Sequence, residues 1–169
     1  MEEQIIGQLK KSKLTRYWPL LCLILIAALA ASAISSTMSP FNARWMHSFM
    51  GIFLCQFAML KLFNPKGFAD GFQKYDIIAS KTRIYAYIYP LIELSLGLGY
   101  LRNAVPNMLY IVTIVVLGTG AVGVIQALLK GLDVRCACMG TALDVPLSTV
   151  TLTEDIGMVV MAALLLFKI

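Results

Sequence analysis

Five stretches of this chain run long and apolar: residues 17–38, 45–63, 84–101, 106–129 and 147–167. A hydrocarbon core roughly 30 Å thick takes about 20 such residues per helical crossing. Backbone amides and carbonyls inside it must bond one another, so only helices and closed barrels span. A barrel strand alternates lipid-facing and lumen-facing residues, whereas these runs are continuously apolar. They read as helices. With 59% hydrophobic and 14% charged residues, against about 45–50% and about 25% in soluble domains, the expected fold is all-α. It is a polytopic membrane bundle of five transmembrane helices, with no room for a separate soluble domain.

The first run follows a basic tail (Lys10, Lys11, Lys13, Arg16) and ends in small residues, as a signal peptide would. Its apolar length of about 20 exceeds the 7–15 of a signal core, so it reads as an uncleaved anchor. The chain divides at that point: residues 1–44 are tail and anchor, and residues 45–169 a four-helix membrane domain. Lys and Arg in short connections stay on the cytoplasmic side. With the N-terminus inside, the tail, the second connection (Lys61, Lys66, Lys74, Lys81, Arg83) and the fourth (Lys130, Arg135) hold eleven of the fourteen. This predicts a cytoplasmic N-terminus and a periplasmic C-terminus in a bacterial inner membrane. The net charge of +5 thereby reads as topology and attraction to anionic lipid, and no nucleic-acid partner is expected.

Between the second and third runs, Phe68, Phe72, Tyr75 and Ile78–Ala79 recur at roughly helical spacing among charged residues. The pattern suggests a short amphipathic interfacial helix, with an ordinary surface turn as the alternative. Small residues that let helices approach in lipid form rows at Ala27–Ala31–Ser35, Ser95–Gly99 and Thr119–Gly123–Ala127.

Polar groups within the runs carry more information. Glu93 sits midway along the third run, just after Pro90, where an uncompensated carboxylate costs several kcal/mol. It is a candidate proton carrier or a hydrogen-bond post for a polar ligand. The structural alternative bonds it to a nearby hydroxyl, to Gln56 or to Gln126. His47, near the end of the second run, reads as a satisfied polar tip. In "GTALDVPLSTVTLTEDIG", Pro146 and Thr151-x-x-Glu154 have the spacing of a helix start with a capping box. That would use Glu154 and Asp155 in a first turn, the other option being Glu154 as a proton acceptor near the thiols.

Of four cysteines, Cys22 and Cys55 lie within apolar runs and read first as small packing groups. Cys136 and Cys138, in "RCACMG", lie in a polar connection. A disulfide across one intervening residue is strained and therefore easily exchanged, and Arg135 favours the attacking thiolate. The same two thiolates suit Cu(I) or another soft metal. A tetrahedral zinc site would need two further ligands.

The segments "FMGIFLCQFAMLKLFNP", "GFQKYDIIA", "YAYIYPLIEL" and "CACMG", followed by a last apolar run, resemble the methylamine utilisation protein MauE family, within the DoxX-like group of redox-associated membrane proteins. The resemblance runs from about Trp45 to the C-terminus. It implies a helical bundle that helps mature a disulfide-containing partner, together with a thioredoxin-like protein, and it points to Cys136, Cys138, Glu93 and Tyr89–Pro90. Methylamine metabolism itself is not implied. Met139 stands where the family often has an aromatic residue, and adds a soft thioether. The family setting puts the partner outside, whereas the charge count puts the thiols inside. Either electrons cross the bundle, by way of Cys55 or a bound quinone, or the span count is off by one. Two functions follow, beside the bland reading of a structural membrane subunit whose loop cysteines are incidental. In one, Cys136 and Cys138 cycle between dithiol and disulfide. In the other they receive a thiophilic metal, Cu(I) or Hg(II), with Cys22 and Cys55 as stations inside the bundle.

Overall fold

The computed structural model describes residues 2–36, 42–74, 76–102, 106–130 and 147–167, and among them there are helices and turns but no strand. The helices are α1 (Glu2–Ser35), α2 (Ala43–Phe63), α3 (Pro65–Phe72), α4 (Arg83–Arg102), α5 (Pro106–Leu129) and α6 (Leu147–Phe167). Among the described residues, Ala43–Phe63, Arg83–Arg102 and Asn107–Leu129 are long and apolar enough to cross a membrane, and Leu20–Ser35 is a shorter apolar helix. The protein is a helical membrane bundle.

Asn64 and Pro65 separate α2 from α3. Asn64 ends α2 and also caps α3, its side chain accepting from the Gly67 amide at 3.0 Å, while Pro65 occupies the first turn, where a missing amide costs nothing. The expected amphipathic helix is present, with Phe68, Ala69 and Phe72 buried. It ends at Phe72, earlier than the spacing suggested. Ile78 is exposed and Ala79 buried, and Tyr75 lies outside the described residues. The turn into α4 is organised by Asp76. Its Oδ1 accepts from the amides of Ile78 (2.9 Å) and Ala79 (2.7 Å), an Asx turn. Oδ2 is buried with no hydrogen-bond partner among the described residues.

Two helix pairs pack extensively, α2 with α4 and α5 with α6, and α1 lies along α2. The row Ala27–Ala31–Ser35 is buried as expected, and Trp45 Nε1 donates to Ser32 Oγ across the α1–α2 contact at 3.0 Å. The closest helix approach is one the small-residue rows did not name. At Gly51 and Gly97 the backbones of α2 and α4 meet: a Cβ on Gly97 would lie 2.8 Å from Cys55 Sγ and 2.9 Å from the Gly51 carbonyl. Ser95, by contrast, is exposed and bonds its own helix at the Leu91 carbonyl. Gly99 admits Leu109 of α5, whose Cδ1 would lie 2.9 Å from an added Cβ.

Contact between the two helix pairs is sparse, and polar groups mark it. At the end of the bundle away from α3, the His47 ring and the Tyr110 hydroxyl share a hydrogen bond of 2.5 Å. Tyr100 donates to Thr113 Oγ1 at 3.0 Å, and Thr113 to the Leu109 carbonyl at 2.8 Å. His47 is thus a satisfied polar residue that ties α2 to α5.

Two measurements test this architecture. Gly97→Leu is expected to destabilise the protein by about 1–3 kcal/mol by forcing α2 off α4. Gly118→Ala, with nothing within 4 Å of the new Cβ, should instead gain up to about 1 kcal/mol from helix propensity; thermal unfolding in detergent reads both. Burial raises the pKa of Asp76, against the opposing pull of the Ala79 and Ile78 amides. An acid whose folded pKa is raised adds stability that is complete below the unfolded value, about 3.9, and is lost as pH rises through the folded value. Asp76→Asn keeps the acceptor without the charge. It should therefore unfold at a higher temperature than wild type near neutral pH, with the difference closing as the pH approaches about 4.

Candidate functional site

Lys61 occupies the last turn of α2, on the face that also buries Met50, Leu54 and Phe57. A lysine at a helix end in a membrane usually extends its charge to the interface. Here the Cα–Cβ bond tilts towards the helix N-terminus, which is the bundle interior, and the residue is only 2% exposed. Its ammonium lies 2.6 and 2.7 Å from the two oxygens of Glu93. Glu154 of α6 is a second acidic neighbour, with Oε1 at 3.6 Å. Three ring faces complete the shell, with centroids at 5.1 Å (Tyr89), 5.7 Å (Phe68) and 5.9 Å (Phe57).

The two residues contributed by α4, Tyr89 and Glu93, are one helical turn apart and share a face. Pro90 between them sits inside a continuous helix and leaves the Ala86 carbonyl without its usual amide donor. On the far side, Gly120 of α5 makes room for polar tips from α4 and α6. A Cβ there would stand 3.1 Å from Asp155 Oδ2 and 3.6 Å from the Tyr89 hydroxyl. Glu93, Glu154 and Asp155 are all at most 3% exposed. Side chains from α2, α3, α4 and α6 thus surround the Lys61 ammonium or adjoin that shell, and Tyr89 and Asp155 extend it to the glycine of α5. A bidentate carboxylate, a second carboxylate and aromatic faces together offset the several kcal/mol that an isolated buried ammonium would cost.

Several sequence expectations are corrected here. The Glu93 partner is Lys61, and neither a hydroxyl nor Gln56 nor Gln126: Gln126 is exposed, and Gln56 Oε1 is buried with no hydrogen-bond partner among the described residues. Lys61 belongs to the bundle interior and not to the connection in which the charge count places it, because its side chain tilts inward from the last turn of α2. The capping box at Thr151 does not start a helix. With α6 beginning at Leu147, its first turn holds no acid, and Glu154 and Asp155 face inward instead. The signal for Lys61 was available in its spacing, four residues after Phe57 and seven after Leu54 on an apolar face. For Glu154 and Asp155, only the true helix start reveals the role.

Cys55 lies against Gly97 and within electrostatic reach of Glu93. Cys22 is half-buried on α1, and both are free thiols. Among the described residues no group of three or more His, Cys, Asp or Glu is placed to hold a metal ion. Cys136 and Cys138, with Arg135 and Met139, lie outside the described residues.

Fold and cluster together define a polytopic helical membrane protein built around a buried lysine–carboxylate post. The model of the methylamine utilisation protein MauE family matches residues 39–168, and the chain belongs to that family. The match covers α2 to α6, and α1 precedes it. No curated protein and no solved structure matches the chain.

Removing one partner of a buried pair leaves the other charge uncompensated. Lys61→Met is expected to destabilise the bundle by about 3–5 kcal/mol. Adding Glu93→Gln to that variant should restore a substantial part of the loss, a coupling visible in a double-mutant cycle of unfolding in detergent.

Proposed function

We propose that this protein is an inner-membrane thiol–disulfide exchange protein that acts on a disulfide-containing partner, with Cys136 and Cys138 as the exchanging pair. The observation that carries this reading is the position of α6. Its first residue, Leu147, follows the cysteine-bearing connection directly in the sequence, and two turns later Glu154 comes within 3.6 Å of Lys61, with the buried Asp155 next to it in the chain. Interconversion of dithiol and disulfide moves two protons with two electrons, and ionisable groups stand at the end of the helix into which that connection leads. Family membership supports the same direction, since the MauE resemblance implies maturation of a disulfide-containing protein.

In the exchange, the Cys136 thiolate attacks the partner's disulfide, forming a mixed disulfide and releasing one partner thiolate. The Cys138 thiolate then attacks the Cys136 sulfur. This closes the Cys136–Cys138 disulfide and frees the second partner thiolate. Two electrons pass to the partner, whose sulfurs take up the two protons given by the cysteines. Run in reverse, the pair oxidises a partner dithiol. Arg135 beside the pair favours the thiolate, and a ring spanning one residue exchanges readily. A soluble thioredoxin-like protein is the expected exchange partner. We assign five spans, with the N-terminus cytoplasmic and the C-terminus periplasmic, and the cysteine connection on the cytoplasmic side.

The alternative, receipt of Cu(I) or Hg(II) by the same two thiolates, draws on the softness of Met139 beside them. One experiment separates the two. Cells are quenched in acid and the thiols of Cys136 and Cys138 tagged with an alkylating mass label, with and without added Cu(I) or Hg(II). The exchange function predicts a disulfide in a fraction of the wild type, and a mixed disulfide with a partner in Cys138→Ser. Thiols that stay reduced, and that metal shields from the label, would establish the metal function instead. A membrane-impermeant label in the same experiment tests the assigned side.

A further inference from the structure

Lys61 has two carboxylates within reach, on two different helices. Glu93 of α4 holds the ammonium at 2.6 and 2.7 Å, and Glu154 of α6 stands at 3.6 Å. A shift of about an ångström would exchange one acceptor for the other, with the three ring faces bounding the space in which the ammonium can move. Beside this pair of carboxylates, the Tyr89 hydroxyl and Asp155 Oδ2 both approach the open Cα of Gly120. A glycine at that position leaves the polar tips of α4 and α6 facing one another where any side chain would part them.

We propose that Lys61, Glu93 and Glu154 form a buried proton-exchange site, in which Lys61 passes a proton between α4 and α6. The proton balance is closed. When Glu93 carries a proton, the Lys61 ammonium gives one of its own to the Glu154 carboxylate and the neutral amine takes the proton from Glu93. One proton has moved from α4 to α6, Lys61 is again an ammonium, and no electron has moved. The groups that face the site are Cys55 of α2, Tyr89 of α4 and Asp155 of α6; α3 contributes the apolar ring of Phe68, and α5 the backbone at Gly120. Lysine suits this role because a buried ammonium can lose its proton, whereas a guanidinium stays charged at any accessible pH. The proposal deepens the thiol-exchange function, and rests on it, only in what uses the proton: α6 follows the cysteine connection in the sequence, and a dithiol–disulfide couple takes up or releases protons in its half-reaction.

The test uses the full chain in lipid nanodiscs and infrared difference spectra after a pH jump, in H₂O and D₂O. The expected result is a protonated-carboxyl C=O band that follows the jump, is lost in Glu154→Gln and persists in Cys136→Ser/Cys138→Ser. Lys61→Arg separates proton transfer from a purely structural ion pair. It keeps the charge, so its thermal unfolding should stay close to that of wild type while the Glu154 band no longer follows the jump. If Lys61→Arg unfolds early, the Lys61→Met/Glu93→Gln double variant, which removes both charges of the pair, serves as the second variant, and it too should stop the Glu154 band from following. A wild type with no titrating carboxyl band, or a band unchanged in Glu154→Gln, overturns the proposal. So does a Glu154 band that still follows the jump in whichever of these two Lys61 variants stays folded. If the band behaves as expected and the two cysteines never leave the dithiol state, the exchange function fails while the proton site stands.

Discussion

A single buried ammonium sets the terms for the rest of this bundle. Lys61 carries a full charge into a region where charge is expensive, and it is compatible with the fold only while Glu93 is held against it. That requirement fixes the rotation of α4, because Tyr89 and Glu93 must share the face turned to α2. It also fixes the register of α2 against α4, which the glycine contact at Gly51 and Gly97 permits at close range. Glu154 then draws α6 to the same point. In lipid there is no hydrophobic force between helices to do this work, so a specific polar contact and a close backbone approach together decide which helix lies next to which.

The two ends of the bundle use this logic differently. At the end away from α3 the link is neutral: His47, Tyr110, Tyr100 and Thr113 form hydrogen bonds and ring contacts that need no charge compensation. At the α3 end the link is ionic and includes at least one group from each of α2, α4 and α6. The ionic link responds to protonation, because each proton gained or lost changes the charge that Lys61 must balance. The buried charges of the described bundle are therefore gathered at one end, where α2 ends and α3 packs against α4.

How much of this could be read from residues alone follows from which signals are local. Continuous apolar runs are local and mark the long helices, and the Phe68–Ala79 spacing marks an amphipathic helix that the structure carries only as far as Phe72. Glu93 was conspicuous because a carboxylate amid apolar residues is rare whatever surrounds it. Its partner was not legible: Lys61 lies two residues from a helix end, where a cation ordinarily counts as interfacial, and only the direction of its side chain turns it inward. Glu154 and Asp155 were misread for a related reason. The Thr151-x-x-Glu154 spacing is a real capping pattern, but a cap is defined by where the helix begins, and α6 begins four residues earlier. The meeting of Gly51 with Gly97 depends on helix crossing, which no row of small residues on one helix specifies.

The arrangement also bears on the choice between electrons and ions at Cys136 and Cys138. A route for a soft metal through the bundle calls on sulfur donors, and of the two thiols on the described helices Cys22 belongs to α1 while Cys55 is packed against the Gly97 backbone. Nothing in the carboxylate cluster favours Cu(I) or Hg(II), which are held by thiolates and thioethers in preference to hard oxygen donors. A lysine with two carboxylates is, however, well matched to protons. Protons alone do not separate the two functions, since direct thiol–disulfide exchange hands its two protons to the partner's sulfurs and loading of a soft ion onto thiols releases protons as well. The distinction lies in the donors: the Lys61 cluster presents nitrogen and oxygen and no sulfur ligand, and on that ground thiol exchange is proposed ahead of metal receipt.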